Sequence, residues 1–205
     1  MTLRFLVLGD SLASGTGAAR PQDTLGARLT RELERAGHAV DLAVVAVPGA
    51  TSLDLAAQVR RAGARHPDAE IALLVIGAND LTRQVPPVRA AAELGAAVGQ
   101  LRQRGTDVLV VPTPDMSSVA WVPPAFRSVV AGICDQARAR QIRAAEAAGA
   151  AVAVVAPEVS RRFAAEPALF SADRFHPSSA GYALVAEALA PHLLDLAARR
   201  DENAA

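Results

Sequence analysis

Short, nearly continuous apolar runs alternate with stretches of helical periodicity along this chain, and that alternation limits the folds open to it. Residues 3–8, 42–47, 71–76 and 108–111 form four such runs, rich in β-branched side chains, and 152–155 form a weaker fifth. A run that is apolar throughout, rather than at every second residue, predicts a parallel strand buried on both faces. Between the runs, Leu25, Leu29, Leu33 and Ala36 recur at helical spacing, and Gly37 is placed to stop that helix. Thr51 or Ser52 can cap a second helix carrying Leu55 and Val59 before Gly63. A third is expected from Pro86-Pro87, through Leu94, Val98 and Leu101, to Gly105. A fourth is expected over 124–149, and a last from Ser178 or Ser179 with Tyr182, Val185 and Leu189 on one face. Pro191 should kink or divide that last helix. Strand–helix alternation over all 205 residues, without a repeat or linker, predicts one doubly wound α/β domain spanning 1–205.

Composition narrows the partners. Aromatics make up only 3% of the residues, so the core must be built from Ala, Val and Leu. The 21 basic and 21 acidic residues cancel, and no basic tract stands out, which argues against nucleic acid or an anionic membrane as a partner. Residues 5–8 are too short a run for a signal-peptide core, and no run approaches a membrane span, so a cytoplasmic location is expected. Cys134 is the single cysteine and falls in a helix-patterned stretch, so it reads as a buried small hydrophobe.

In a doubly wound sheet, ligands bind beyond the carboxyl ends of the strands. The loops there carry Gly9-Asp10-Ser11-Leu12 after the first run, Pro48-Gly49-Ala50-Thr51 after the second and Gly77-Ala78-Asn79-Asp80 after the third. Asp173-Arg174-Phe175-His176-Pro177 follows the fifth. Each has an ordinary reading: Ser11 as a helix cap, Gly49 as a turn residue, Asn79-Asp80 as a cap, His176 as an exposed loop histidine. Together they contain the parts of a hydrolase. A serine hydroxyl is a weak nucleophile until a base takes its proton, and histidine titrates near neutrality. Asp173 stands three residues before His176, a spacing that lets a carboxylate reach Nδ1 in a tight turn and leave Nε2 free for Ser11. Pro177 disfavours a helical conformation at His176. The backbone N–H groups of Ser11 and Gly49 and the side-chain amide of Asn79 can supply three donors to an oxyanion, and at Gly49 a Cβ would obstruct close approach.

These four segments, in this order and spanning almost the whole chain, resemble the sequence blocks of the SGNH hydrolases, also called the GDSL esterase/lipase family. Gly9-Asp10-Ser11-Leu12 is similar to the nucleophile block, Gly49 to the glycine block, Gly77-x-Asn79-Asp80 to the asparagine block and Asp173-x-x-His176 to the acid–base block. The resemblance implies a flavodoxin-like three-layer α/β/α sandwich with a five-stranded parallel sheet. It also implies acyl transfer to water with no metal or cofactor, on a small-molecule ester. Carboxylic esters, thioesters and acetylated carbohydrates all fall within the group's range, so these substrates stay open, as does the oligomeric state.

Rival readings fit less of the chain. Gly15-x-Gly17 follows the first strand as in a dinucleotide fingerprint, but Arg20 stands where the third glycine belongs. A divalent cation held by Asp10, Asp80, Asp173 and His176 would leave Ser11, Gly49 and Asn79 without a shared task. A binding domain without catalysis would not need an intact nucleophile, base, acid and donor set. The Gly-x-Ser-x-Gly elbow of other α/β hydrolases is absent around Ser11. Ser14, Ser117, Ser118 and Ser171 read as turn or cap residues, and His38, His66 and His192 as helix-end or turn residues. The long segment 112–124 contains the only Trp, and its position predicts a pocket wall formed by Leu12, Met116, Trp121 and nearby Phe126. The alternative is that Trp121 anchors this loop on the core. A wall stiffened by prolines would favour short acyl chains.

Overall fold

The computed structural model describes residues 2–117, 119, 121–155 and 157–204. Strand β1 (Thr2–Gly9) runs into one helical turn, α1 (Ser11–Ser14), and then helix α2 (Leu25–Arg35). Strand β2 (Ala39–Val44), helix α3 (Leu55–Arg65) and strand β3 (Ile71–Val75) follow. A short helix α4 (Ala78–Thr82) precedes α5 (Pro87–Arg102), strand β4 (Asp107–Val111) and α6 (Arg127–Ala147). Strand β5 (Ala151–Val152), helix α7 (Pro157–Ala165) and helix α8 (Ser179–Ala204) complete the order.

All strand pairs are parallel, in the order β2-β1-β3-β4-β5. The period of two in a strand sorts the core into two slabs. Phe5, Val7, Leu73 and Val111 face a layer built on α2 and α8, where Leu29, Leu33, Leu189 and Leu193 meet them. Leu6, Leu8, Leu74 and Val110 face the opposite layer, against Val59 of α3 and Leu94 and Val98 of α5. Helices therefore cover both faces of one five-stranded parallel sheet, the three-layer α/β/α sandwich that the strand–helix alternation and the family resemblance predict. Continuous burial holds for β3, whereas β2 lies at the sheet edge and alternates between exposed and half-buried positions.

The differences from the expected boundaries have local causes. Strand β2 starts at Ala39 rather than Leu42, yet the ladder to β1 continues past it: Val45 and Val47 donate to the carbonyls of Val7 and Gly9 at 2.9 and 3.0 Å. Only the start of the weak fifth run pairs: Ala151 and Val152 lie beside Leu109 and Val110, and Ala153 N–H adds a bond to the Val110 carbonyl at 2.9 Å. Helix α2 ends before Ala36, and α3 continues through Gly63 to Arg65. Thr51 makes the capping interaction with Asp54, and Ser52 turns elsewhere. Helix α7 was not anticipated.

Pro191 does not divide α8, which continues through it to Ala204. Proline in a helix interior costs ~3 kcal/mol through a lost N–H bond and a clash with the preceding turn. Leu189 before it and Leu193, Leu196 and Ala197 after it are buried in the core, and each large aliphatic side chain contributes about 1.5–3 kcal/mol. Burial on both sides of the proline outweighs its cost. The Tyr182 ring is fully buried on the same helix, and its hydroxyl donates to the Thr16 carbonyl at 2.8 Å, fixing the segment that follows α1. Among the described residues, no helix is long and apolar enough to cross a membrane.

Pro191 is exposed, so Pro191→Ala restores a helical N–H without opening a cavity. Chemical denaturation should find the variant more stable by roughly 1–2 kcal/mol, since part of the helix gain is offset by a freer unfolded chain. Unchanged or lower stability would show that α8 is relaxed around the proline.

Candidate active site

In the order β2-β1-β3, the chain leaves β1 toward one side and returns as β3 on the other, so the loops beyond β1 and β3 part and leave a crevice between them. Gly9 closes the sheet at that point. Its φ is +130°, and a Cβ there would lie 1.8 Å from the Val75 carbonyl oxygen, which only glycine avoids. Asp10 N–H then donates to Val75 O at 3.1 Å, and both the N–H and C=O of Gly9 are held at 2.8 Å by the buried amide of Gln58. Ser11 begins α1 directly from this fixed end. Asp10 caps the turn, its carboxylate accepting from Leu12 N–H at 3.0 Å.

The Asp173–His176 segment is a tight turn across the same crevice. Asp173 Oδ2 accepts from His176 Nδ1 at 2.6 Å. Asp173 Oδ1 accepts from the backbone N–H of Phe175 and of His176, both at 2.9 Å, and from the Ser171 hydroxyl at 2.8 Å. Arg174 takes up a left-handed φ of +57° to let the turn close, and these bonds offset that cost. Although burial raises the Asp173 pKa, the hydrogen bonds from the His176 ring, the two backbone groups and Ser171 prevail, and the carboxyl lies well below the ordinary range. It is therefore ionised at any pH near neutrality, and His176 Nδ1 is the donor in the pair. The three-residue spacing does bring carboxylate and imidazole together as the sequence predicts.

Ser11 and His176 line one cavity of about 110 Å³. Ser11 and His176 share its wall without a hydrogen bond between them, and such contacts are commonly long before substrate binds. The rest of the lining is mostly apolar: Leu12, Ile76, Met116, Val119, Val159, Phe163, Phe170 and Phe175 contribute. Leu12 and Met116 are thus where the pocket expectation puts them. Trp121 and Phe126 are not in the lining, and both are more than half exposed. Trp121 is no core anchor either. Its ring stacks on Phe175 with centroids 6.1 Å apart, and Phe175 meets the His176 ring edge-on at 4.9 Å. Of the apolar neighbours of Trp121, Met116 and Val119 line the cavity and also pack with Val122 around buried Cys134 in a small separate core. Ser118 and Ala120 lie outside the described residues.

Gly49 and Asn79 stand on the loops that flank Ser11, though neither lines the cavity. Two residues before Gly49, Val47 N–H bonds the Gly9 carbonyl, and Asn79 Nδ2 donates to the Ala50 carbonyl at 3.0 Å, leaving its second N–H. Gly49 is required for its φ of +80° rather than for space, since a Cβ would meet only the flexible end of Arg83, at 3.2 Å. Asp80 caps no helix. It is buried, accepts from Ser52 N–H at 2.9 Å and Ser52 Oγ at 2.6 Å, and has its pKa raised by burial against those two bonds. Asp80 and Asp173 thus face different partners, and among the described residues no group of His, Cys, Asp and Glu gathers as metal ligands would.

A family model described as the GDSL-like lipase/acylhydrolase family matches residues 7–184. The chain belongs to that family. A curated relative, the GDSL-like esterase Rv1075c of Mycobacterium tuberculosis, is 33% identical over 189 residues, covering 91% of this chain and 60% of the relative's own length. Among solved structures, TesA superposes with a TM-score of 0.76 at 21% identity, over 94% of this chain and 99% of its own. The psychrotrophic esterase EstA from Pseudoalteromonas sp. gives 0.73 at 16% identity, over 94% and 97%. A variant of Axe2, an acetylxylan esterase from Geobacillus stearothermophilus, gives 0.69 at 19%, over 92% and 94%. At these identities the likeness is one of fold.

Within this GDSL-family chain, several residues at the site escape sequence reasoning. Val159, Phe163 and Phe170 wall the cavity from α7 and the segment after it. Phe175 lay between two singled-out residues and could have been read as a pocket wall. Gln58 carried a signal too: it is a polar residue at helical spacing with Leu55, Val59 and Ala62, and so is committed to the buried face. His192, expected at a helix end, lies within α8.

Burial pushes the Asp10 carboxyl up from 3.8 to about 6, with the nearby Asp80 charge adding to the rise and Leu12 N–H and His176 opposing it. A carboxyl raised in the native state holds its proton where the unfolded chain has lost it, so stability falls as pH rises from about 4 to about 6. Asp10→Asn removes that charge and retains an acceptor for Leu12 N–H. The stability difference between variant and wild type should move in the variant's favour by roughly 2–3 kcal/mol between pH 4 and pH 7 in denaturation experiments. A constant difference across that window would mean that Asp10 does not titrate there.

Proposed function

We propose that this chain is a serine esterase that hydrolyses carboxylic esters of short acyl groups, with residues 1–205 acting as one hydrolase domain. The observation that carries the reading is the 2.6 Å bond from His176 Nδ1 to Asp173, across the cavity wall from Ser11. That bond fixes the imidazole tautomer with Nε2 unprotonated. Nε2 takes the Ser11 hydroxyl proton as Oγ attacks the ester carbonyl. The Ser11 and Gly49 N–H groups and the free N–H of Asn79 receive the oxyanion. As the tetrahedral adduct collapses, the C–O bond to the alcohol breaks and imidazolium protonates the departing oxygen. Water then attacks the acyl-serine with the same histidine as base, releasing acid and restoring Ser11. Asp173 stays ionised throughout and stabilises the imidazolium.

The acyl assignment rests on the cavity. An apolar cavity of ~150 Å³ takes a benzene-sized ligand. At about 110 Å³, this one admits less, and Phe163 and Phe170 meet edge-on at 5.1 Å among its lining residues. Chains of about two to four carbons therefore match it best.

The test is an acyl-length series of nitrophenyl esters, run on wild type and on Ser11→Ala, His176→Ala and Asn79→Ala. Short chains should give the highest kcat/KM. Ser11→Ala and His176→Ala should be inactive on every ester, and Asn79→Ala should lose roughly 10²–10³ in kcat with little change in KM. A Ser11→Ala enzyme with wild-type turnover would refute the mechanism, and a preference for long chains would refute the acyl assignment.

A further inference from the structure

Two of the three oxyanion donors ride on loops from different strands. Gly49 follows β2 and Asn79 follows β3, and β1 separates those strands in the sheet. Nothing in the ladder pairs one loop with the other, so their spacing must be set beyond the strand ends. Among the described residues, three side-chain hydrogen bonds cross between them there. Ser52, fully buried three residues after Gly49, donates both its N–H (2.9 Å) and its hydroxyl (2.6 Å) to the carboxylate of Asp80. Asp80 is itself only 5% exposed and directly follows Asn79. Asn79 Nδ2 adds a third tie, to the carbonyl of Ala50, the residue after Gly49.

We infer that the Ser52–Asp80 pair is a clamp that positions Gly49 N–H and the Asn79 amide for the oxyanion, so that Ser52 and Asp80 are positioning residues for the hydrolysis proposed above, on which this inference rests. A carboxylate accepting two bonds from one residue fixes orientation as well as distance. Both partners sit in the interior, where water cannot replace a lost bond. One arm of the Asn79 amide is spent on Ala50, so the direction of its remaining N–H depends on where the Ala50 loop lies relative to α4. That relation is what Ser52 and Asp80 hold. Neither side chain touches the cavity, so their effect on catalysis must pass through the two donors, whose misplacement by about 1 Å costs on the order of 10²-fold in rate.

Ser52→Ala deletes the hydroxyl arm without adding volume, and Asp80→Asn can still accept from Ser52 N–H while donating to Oγ. With nitrophenyl butyrate, Ser52→Ala should lose about 10- to 100-fold in kcat with KM within a few-fold. Its affinity for an alkyl boronic acid, which forms an anionic tetrahedral adduct on serine, should fall by a similar factor. The acid limb of its pH–rate profile should not move, because the His176–Asp173 pair is untouched. Asp80→Asn should keep part of the activity, and Ser52→Ala combined with Asp80→Asn should lose less than the product of the single losses. Wild-type kcat and boronate affinity in Ser52→Ala at reduced thermal stability would overturn the proposal and leave the pair merely structural. A displaced acid limb would overturn it by assigning Ser52 to the base. Ser11→Ala, run alongside, separates the two claims. If it is inactive while Ser52→Ala is unimpaired, only the clamp fails; if it turns over normally, the esterase reading fails and the clamp with it.

Discussion

Where β1 meets β3, the Gly9 Cα packs so closely on the Val75 carbonyl that no side chain fits, and Asp10 N–H bonds that same carbonyl. This contact ends the pairing of the two central strands at one residue and turns the chain sharply into α1. Beyond it, the β1 loop carrying Ser11 lies between the β2 loop with Gly49 and the β3 loop with Asn79. The parallel sheet supplies the geometry at no extra cost, because strands running the same way end on the same edge. Buried amides and hydroxyls then complete what the ladder leaves unfinished. Gln58 holds Gly9, Ser52 holds Asp80, and Gln141 holds both Thr113 N–H at 2.8 Å and the Ile76 carbonyl at 3.2 Å.

Three carboxylates near the crevice illustrate how environment divides labour among identical groups. Asp173 sits in a half-exposed turn with four hydrogen bonds and is strongly acidic. Asp80 is buried but satisfied by Ser52 on both oxygens. Asp10 is buried, and the backbone groups of Leu12 and Gly77 do not offset the cost of that burial, so its pKa rises to about 6. Of the three, only Asp173 is hydrogen-bonded to the imidazole.

Strands β1, β3 and β4 were legible because burial on both faces leaves little freedom of composition, and the residues between them carry a clear helical period. The Asp173–His176 contact was legible because it is local: three residues and a turn determine it. Helix α7 was not. Its apolar positions, Val159 and Phe163, are sparse, it opens on Pro157 and is followed by Pro167, and the same two side chains both join the core and wall the cavity. Trp121 misled for a related reason. A lone large aromatic in a long loop signals an apolar contact, but the contact is one face of Phe175, and the other face is open. The Ser52–Asp80 and Gln58–Gly9 pairs join residues 28 and 49 positions apart, and no local pattern in one chain reveals such partners. The β2 boundary shifted because an edge strand needs no continuous apolar run.

On the reading proposed above, Ser11, His176, the N–H groups of Ser11 and Gly49 and the Asn79 amide converge on one reacting carbon. A crystal structure of the protein treated with a short alkyl phosphonate tests this most directly. The account predicts phosphorus bonded to Ser11 Oγ, the alkyl group in the cavity between Phe163 and Met116, and His176 Nε2 turned toward the adduct. The phosphoryl oxygen should lie about 2.7–3.1 Å from Ser11 N, Gly49 N and Asn79 Nδ2. Phosphorus on any other residue, or a phosphoryl oxygen facing solvent with Gly49 and Asn79 out of reach, would contradict it.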